Sequence, residues 1–101
     1  MSEIALIAKI TAQSGKRADA VAAFQPLLEH AEAEPGTLRY LLHADVEEQD
    51  VLWMYEVYAD EQAREDHRRS DVMKTAGRAL GAFLAGPPEI TVLEPLGGLG
   101  H

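Results

Sequence analysis

The segment 56–67, Glu-Val-Tyr-Ala-Asp-Glu-Gln-Ala-Arg-Glu-Asp-His, constrains the fold of this chain more than any other stretch. The end of a buried strand runs straight into a helix that presents a histidine. Asp60 is placed to cap that helix, and Glu61 in its first turn suits the positive end of the helix dipole. Upstream, Glu34-Pro35-Gly36-Thr37 reads as a turn into the apolar run Leu38 to Leu42. Two strands are predicted over 37–46 and 51–58, joined as a hairpin by the polar stretch Glu47-Glu48-Gln49-Asp50.

The rest of the chain falls into place around this hairpin. Residues 3–11 are apolar except for Glu3, Lys9 and Thr11, the pattern of a strand buried largely on both faces. Ser14 and Gly15 break it, and Ser14 is the expected cap of a helix over 16–32, where Val21, Phe24, Leu28 and Ala31 recur at helical spacing. Pro26 lacks an N–H and crowds the carbonyl of Ala22, so a kink is expected there. Ser70 is placed to cap a further helix reaching residue 84, with Val72, Met73, Ala76, Leu80 and Phe83 on its apolar side. Gly86-Pro87-Pro88 ends it, and 89–93 is a last strand. Residues 1–95 form the domain, and the Gly-rich residues 96–101 form a flexible tail.

The order β-α-β-β-α-α-β predicts an α+β fold: a ferredoxin-like antiparallel sheet with helices on one face. The other face then needs a cover, and a second copy of the chain supplies it most simply. The alternation along the hairpin decides which face is which. With the loop centred on Glu48, Tyr40 lies opposite Glu56 and His43 opposite Trp53. Leu38, Tyr40, Leu42, Ala44, Leu52, Met54, Glu56 and Tyr58 share the more apolar face, assigned to the helices. Arg39, Leu41, His43, Asp45, Val51, Trp53, Tyr55 and Val57 share the other. Its mix of aromatic and charged groups suits a dimer interface, with Arg39, His43, Trp53 and Tyr55 at its centre.

On this assignment Glu56 is a carboxylate in an apolar setting, which must be paired, hydrogen-bonded or protonated. His67 on the following helix is one partner within reach, and the Tyr40 hydroxyl is another. The functional reading is a pocket lined by Glu56, His67, Tyr40, Met54, Tyr58 and Met73. The plainer reading leaves Glu56 bonded to nearby backbone and His67 on a solvated helix, as its neighbours Arg64, Glu65, Asp66, Arg68 and Arg69 suggest. Trp53 and Tyr55 serve either as a platform for a planar ligand or, more simply, as interface anchors. His30, at the end of the first helix, reads as a surface residue.

Several function classes drop out. The chain of 101 residues has a net charge of −8, which argues against nucleic acid and anionic membranes as partners. Without cysteines there is no disulfide and no thiolate chemistry. His30, His43 and His67 lie on separate elements without metal-ligand spacing, and no Gly-rich phosphate cradle precedes a helix, so neither a metal nor a flavin or nicotinamide cofactor is expected. No apolar run is long enough to cross a membrane and no leader pattern opens the chain, so a cytoplasmic location is expected.

In the order and spacing of Glu34-Pro35-Gly36-Thr37, the 56–67 segment and Ser70, the chain resembles the antibiotic biosynthesis monooxygenase family, small domains of the dimeric α+β barrel superfamily. The resemblance implies a homodimer. It also implies a cofactor-independent monooxygenase that oxidises a small phenolic or hydroquinone-like molecule with O2. His67 or Glu56 would then be the base, with Tyr40 and Tyr58 placing the ring. The haem-degrading relatives use an Asn, a Trp and a His where this chain has Ala8, His67 and Gly77, so haem degradation is not expected. An isomerase of a small signalling molecule, or a non-catalytic small-molecule binder or stress protein on the same scaffold, remains the alternative.

Overall fold

Alternating side chains over Val51–Tyr58 build the strand on which the sheet is organised. The computed structural model describes residues 2–100. Its elements in chain order are β1 (Ile4–Thr11), α1 (Arg17–Ala33), β2 (Thr37–Ala44), β3 (Val51–Tyr58), α2 (Glu61–Arg69), α3 (Asp71–Gly81) and β4 (Glu89–Leu93). The four strands form one antiparallel sheet in the order β2-β3-β1-β4. This is the ferredoxin-like α+β arrangement that the element order predicts.

The helices cover one face. Leu6, Ala8 and Ile10 on β1 join Leu52, Met54 and Tyr58 on β3 in a core with Ala20, Phe24 and Leu27 of α1 and Ala76 and Leu80 of α3. Positions 20, 24, 27 and 31 are the buried stripe of α1, spaced by three and four as one helix face requires. Leu27, absent from the apolar set expected for this helix, is fully buried. The helix runs unbroken from Arg17 to Ala33 with Pro26 inside it.

The hairpin has the expected register, with Tyr40 opposite Glu56 and His43 opposite Trp53. The expectation fails at both ends of β2. The ladder skips Leu38 between Thr37 and Arg39. Leu38 therefore falls out of the alternation at the sheet edge, where it lines cavities on both sides. It is half exposed and shares the cavity on the uncovered side with Arg39, Leu41, Tyr55 and Val57, because an extra residue in one strand turns its side chain out of the pleat. At the other end β2 stops at Ala44 rather than Val46. The Asp45 carboxylate instead accepts hydrogen bonds from the Glu47 and Glu48 N–H groups at 2.9 Å and from the Trp53 indole at 2.8 Å, a side-chain cap on the turn. These donors hold its pKa down at about 2, with the Glu48 N–H contributing most.

Caps explain the other boundaries. Asp60 accepts from the Ala63 N–H at 2.9 Å and Ser70 from the Met73 N–H at 3.2 Å, as expected for the starts of α2 and α3. Ser14 does not cap α1. The N-cap is Lys16, without a side-chain cap bond, and Gly15, at φ +77°, makes the bend instead, its N–H donating to Asp50 at 3.1 Å. The third helix ends at Gly81 rather than at Leu84. Residues 82–85 leave it to pair with the end of β1: Gln13 N–H donates to Phe83 at 2.8 Å and Ala85 N–H to Thr11 at 2.9 Å.

Across the uncovered face three rows can be read from the register: Arg39, Val57, Ala5 and Leu93; Leu41, Tyr55, Ile7 and Thr91; His43, Trp53, Lys9 and Glu89. The residues expected at an interface, Arg39, His43, Trp53 and Tyr55, all lie on this face. The expected tail crosses part of it. Gly97, Leu99 and Gly100 line a cavity of about 680 Å3 there, and the Arg39 guanidinium donates to the Gly100 carbonyl at 2.6 Å. His101 lies outside the described residues.

Candidate functional site

The register places Tyr40, Glu56 and Leu6 side by side on the covered face, with Tyr58 two positions along β3 from Glu56. Helix α2 lies over this row and is polar on its outer side. His67 is its one buried residue, 4% exposed. The imidazole sits against two phenol rings, its centroid 4.9 Å from that of Tyr40 and 5.6 Å from that of Tyr58. Of the two readings of this helix, a solvated histidine is excluded.

The partner of His67 is not the expected one. Its Nδ1 lies 2.8 Å from Oε1 of Glu34, and the same oxygen accepts from the Thr37 hydroxyl at 3.0 Å. Glu56 is instead the acceptor of the Tyr58 hydroxyl. A local feature explains the exchange. Gly36 brings the turn after α1 so close to α2 that a Cβ placed on it would lie 2.5 Å from the Ala63 Cβ. The Ala59 N–H donates to the Gly36 carbonyl at 2.9 Å. This approach carries Glu34, at the C-cap of α1, under the last turn of α2. Reading Glu34-Pro35-Gly36 only as a turn misses it; the visible signal is an acidic residue beside a glycine that permits close backbone approach.

A carboxylate is acceptor-only, so a hydrogen bond to Glu34 puts the proton of a neutral imidazole on Nδ1 and leaves the lone pair on Nε2. Nε2 is buried and has no hydrogen-bond partner; among the described residues the Arg64 Nε is the other such side-chain atom. Burial raises the Glu56 pKa, opposed by the Tyr58 hydrogen bond and by the nearby His67 and Arg64 charges. The hydroxyls of Tyr40 and Tyr58 are pushed above the ordinary phenol range, by burial first and then by the Glu56 carboxylate. Both therefore remain O–H donors at any ordinary pH. The cluster has two phenol donors, one carboxylate already hydrogen-bonded, and one imidazole nitrogen free to take a proton.

Met54 and Met73, the other two residues expected in the pocket, belong to the core below, Met54 fully buried on β3 and Met73 half buried on α3. Among the cavities that indent the described residues, five of 340 to 680 Å3 are lined by none of His67, Glu56, Tyr58 and Met73. The Tyr40 and Tyr58 rings pack against His67 and take up the room around it. Tyr40 also faces outward, lining a cavity of about 450 Å3 with Leu28 and Leu42. On the open face a cavity of about 510 Å3 borders His43, Trp53, Tyr55 and Ile7. Among the described residues no group of three or more His, Asp or Glu side chains is arranged to hold a metal ion. No helix among them is long and apolar enough to cross a membrane.

Residues 3–79 match the family model of the antibiotic biosynthesis monooxygenases. The chain belongs to this family. Solved structures agree. A Caulobacter crescentus protein, described as a candidate antibiotic biosynthesis monooxygenase, is 33% identical and superposes with a TM-score of 0.90 over 95% of this chain and 92% of its own. A Pseudomonas aeruginosa protein is 29% identical, with a TM-score of 0.87 over 96% and 97%. A Chloroflexus aurantiacus protein, described like the first, is 27% identical, with a TM-score of 0.83 over 98% of each chain. No curated protein matches the sequence. Family membership accounts for the fold and for a monooxygenase-type scaffold; the chemistry must be argued from the cluster around His67.

Proposed function

We propose that the His67 cluster is the proton-abstracting site of a cofactor-independent oxygenase acting on a small phenol or hydroquinone. The observation that carries this reading is the state of the His67 ring: Nδ1 held by Glu34, Nε2 buried, unpartnered and flanked by aromatic rings. An imidazole oriented by a carboxylate is a base whose protonated form is stabilised as it forms.

The sequence of steps balances for a phenol that carries hydrogen on the carbon to be oxidised. Nε2 takes the hydroxyl proton and leaves a phenolate. The phenolate gives one electron to O2, and the phenoxyl radical and superoxide combine at a ring carbon. That carbon then loses its proton as the O–O bond breaks. One oxygen stays as the quinone carbonyl, and the other leaves as water with the two protons removed. The O–H of Tyr40 stays protonated and acts as a donor to developing negative charge, while the O–H of Tyr58 is committed to Glu56. A ring reaches Nε2 by displacing Tyr40, which stands between the cluster and the cavity beside β2. The second copy of the chain, covering the open face through Arg39, His43, Trp53 and Tyr55, completes the particle.

Oxygen uptake with a panel of phenols and hydroquinones tests the reading. His67→Gln keeps a donor toward Glu34 and removes the base, and kcat should fall by roughly 10²–10⁴. No uptake above the buffer rate across the panel, or an unchanged rate in the variant, refutes it. A second reading has its own support. A cavity of about 680 Å3 lies on the open face away from His67, and a binder without catalysis would use that face. Calorimetric binding of the same panel that survives His67→Gln and fails in Tyr55→Ala would favour it.

A further inference from the structure

Glu34 has a second oxygen, and it is in use. Oε2 lies 3.4 Å from Nε2 of His30, one turn earlier on α1, while Oε1 holds His67 at 2.8 Å. One carboxylate thus joins two imidazoles. The first, His67, is buried, with its side chain 5% exposed; the second, His30, opens to solvent at 31%. The role assigned to His67 gives His30 no part, and on sequence alone it is a surface residue at a helix end.

We propose that His30 is a positioning residue for His67, acting through the Glu34 carboxylate they share. The inference rests on the reading of His67 as the base. When His30 is neutral, the negative charge of Glu34 is available to His67, and an imidazolium formed there is well paired. When His30 is protonated it draws on the same charge from the other side. Two cations then share one carboxylate, and the second of them is held more weakly than the first. The effect is mutual, because a charge that weakens its neighbour is weakened by it to the same extent. Solvent acidity reaches a buried base in this way without water entering the cluster.

The other groups facing this chain set the background and do not replace the link. They are Tyr40 on β2, Glu56 and Tyr58 on β3, and Arg64 on α2. Both tyrosines stay protonated. Arg64 is paired with Glu61 at 3.1 Å. Thr37 donates to Oε1 and leaves Oε2 to His30.

Nitrogen and proton NMR of the histidine rings in the full chain tests the proposal without any substrate. In the wild type the His67 ring signals should follow pH in two phases, the outer one coinciding with His30. In His30→Gln the second phase should be lost. In His30→Lys, which keeps a cation at the position, His67 should titrate in one phase at lower pH than in the Gln variant. Circular dichroism confirms that both variants are folded, as expected for a part-exposed site at a helix end. A His67 curve that is identical in wild type, His30→Gln and His30→Lys overturns the proposal and leaves the base assignment standing. Altered curves without oxygen uptake by any phenol would uphold the coupling and sink the oxygenase reading. Where uptake is seen, the pH–rate profile should change shape in His30→Gln while its plateau rate persists.

Discussion

The two faces of the sheet handle polar groups in opposite ways. On the covered face polar side chains are held by one another: Tyr58 by Glu56, His67 by Glu34, Glu34 by Thr37 and His30. Among the described residues the buried exceptions are the Nε2 of His67 and the Nε of Arg64. On the open face Arg39 and His43 stand at the ends of rows, Trp53 is tied to Asp45 of its own hairpin and Lys9 lies 3.9 Å from Glu48, while Leu41 and Leu38 stay about half exposed. Burial forces every donor and acceptor on the covered side to be accounted for, so an unpaired atom there is informative. On the open side an unpaired group costs little, and the informative quantity is uncovered apolar area.

Three experiments press on this contrast. The largest effect is expected at the open face. Trp53→Glu places a charge in the middle of the proposed interface and should convert a dimer to monomers or unfolded chain, read by light scattering after gel filtration. A wild-type protein that is monomeric at micromolar concentration would remove the interface altogether. Next in size is a matched pair of leucines. Leu27→Ala opens a cavity in the core and should cost about 2–5 kcal/mol in chemical denaturation. Leu41→Ala, on the uncovered face, should cost less than about 0.5 kcal/mol at concentrations where the chain is monomeric. Equal losses would mean that the faces do not differ as described.

The smallest effect belongs to Glu56. Burial raises its folded pKa, so the folded chain holds this proton more tightly than the unfolded chain does. That contribution to stability is fully present below the ordinary carboxylate range, near about pH 4. It is lost as pH rises through the elevated folded value. The stability of the wild type relative to Glu56→Gln should therefore decline from acid to neutral pH. A relative stability that climbs with pH would mean that Tyr58, His67 and Arg64 hold the carboxylate more strongly than burial opposes it.

Much of the covered face was legible in the sequence. Alternation over 51–58 and the polar loop before it determine the hairpin register, and with it the company of Tyr40, Glu56 and Tyr58. Asp60 and Ser70 locate two helix starts because capping is a local interaction. What stayed hidden depends on distance along the chain. The partner of His67 is 33 residues away and is selected by how closely Gly36 lets the turn approach α2. The extra residue at Leu38 leaves no mark in the alternation, since leucine suits either face. The end of α3 is set by a pairing with β1 that no local pattern contains.

That last pairing bears on how the molecule assembles. The Gln13 side chain donates to the carbonyls of Ala82 and Leu84, across 69 and 71 positions of sequence, and Ala12 bridges to Leu84 beside it. Contacts of such long range form only after the intervening chain is in place. The junction is therefore a clasp that shuts late, together with the β1–β4 ladder, whose pairs run from Ala5–Leu93 to Lys9–Glu89. In the finished molecule no bond of the His67 cluster runs through residues 82–85, so an opening that frees α3 from the end of β1 should leave that cluster closed.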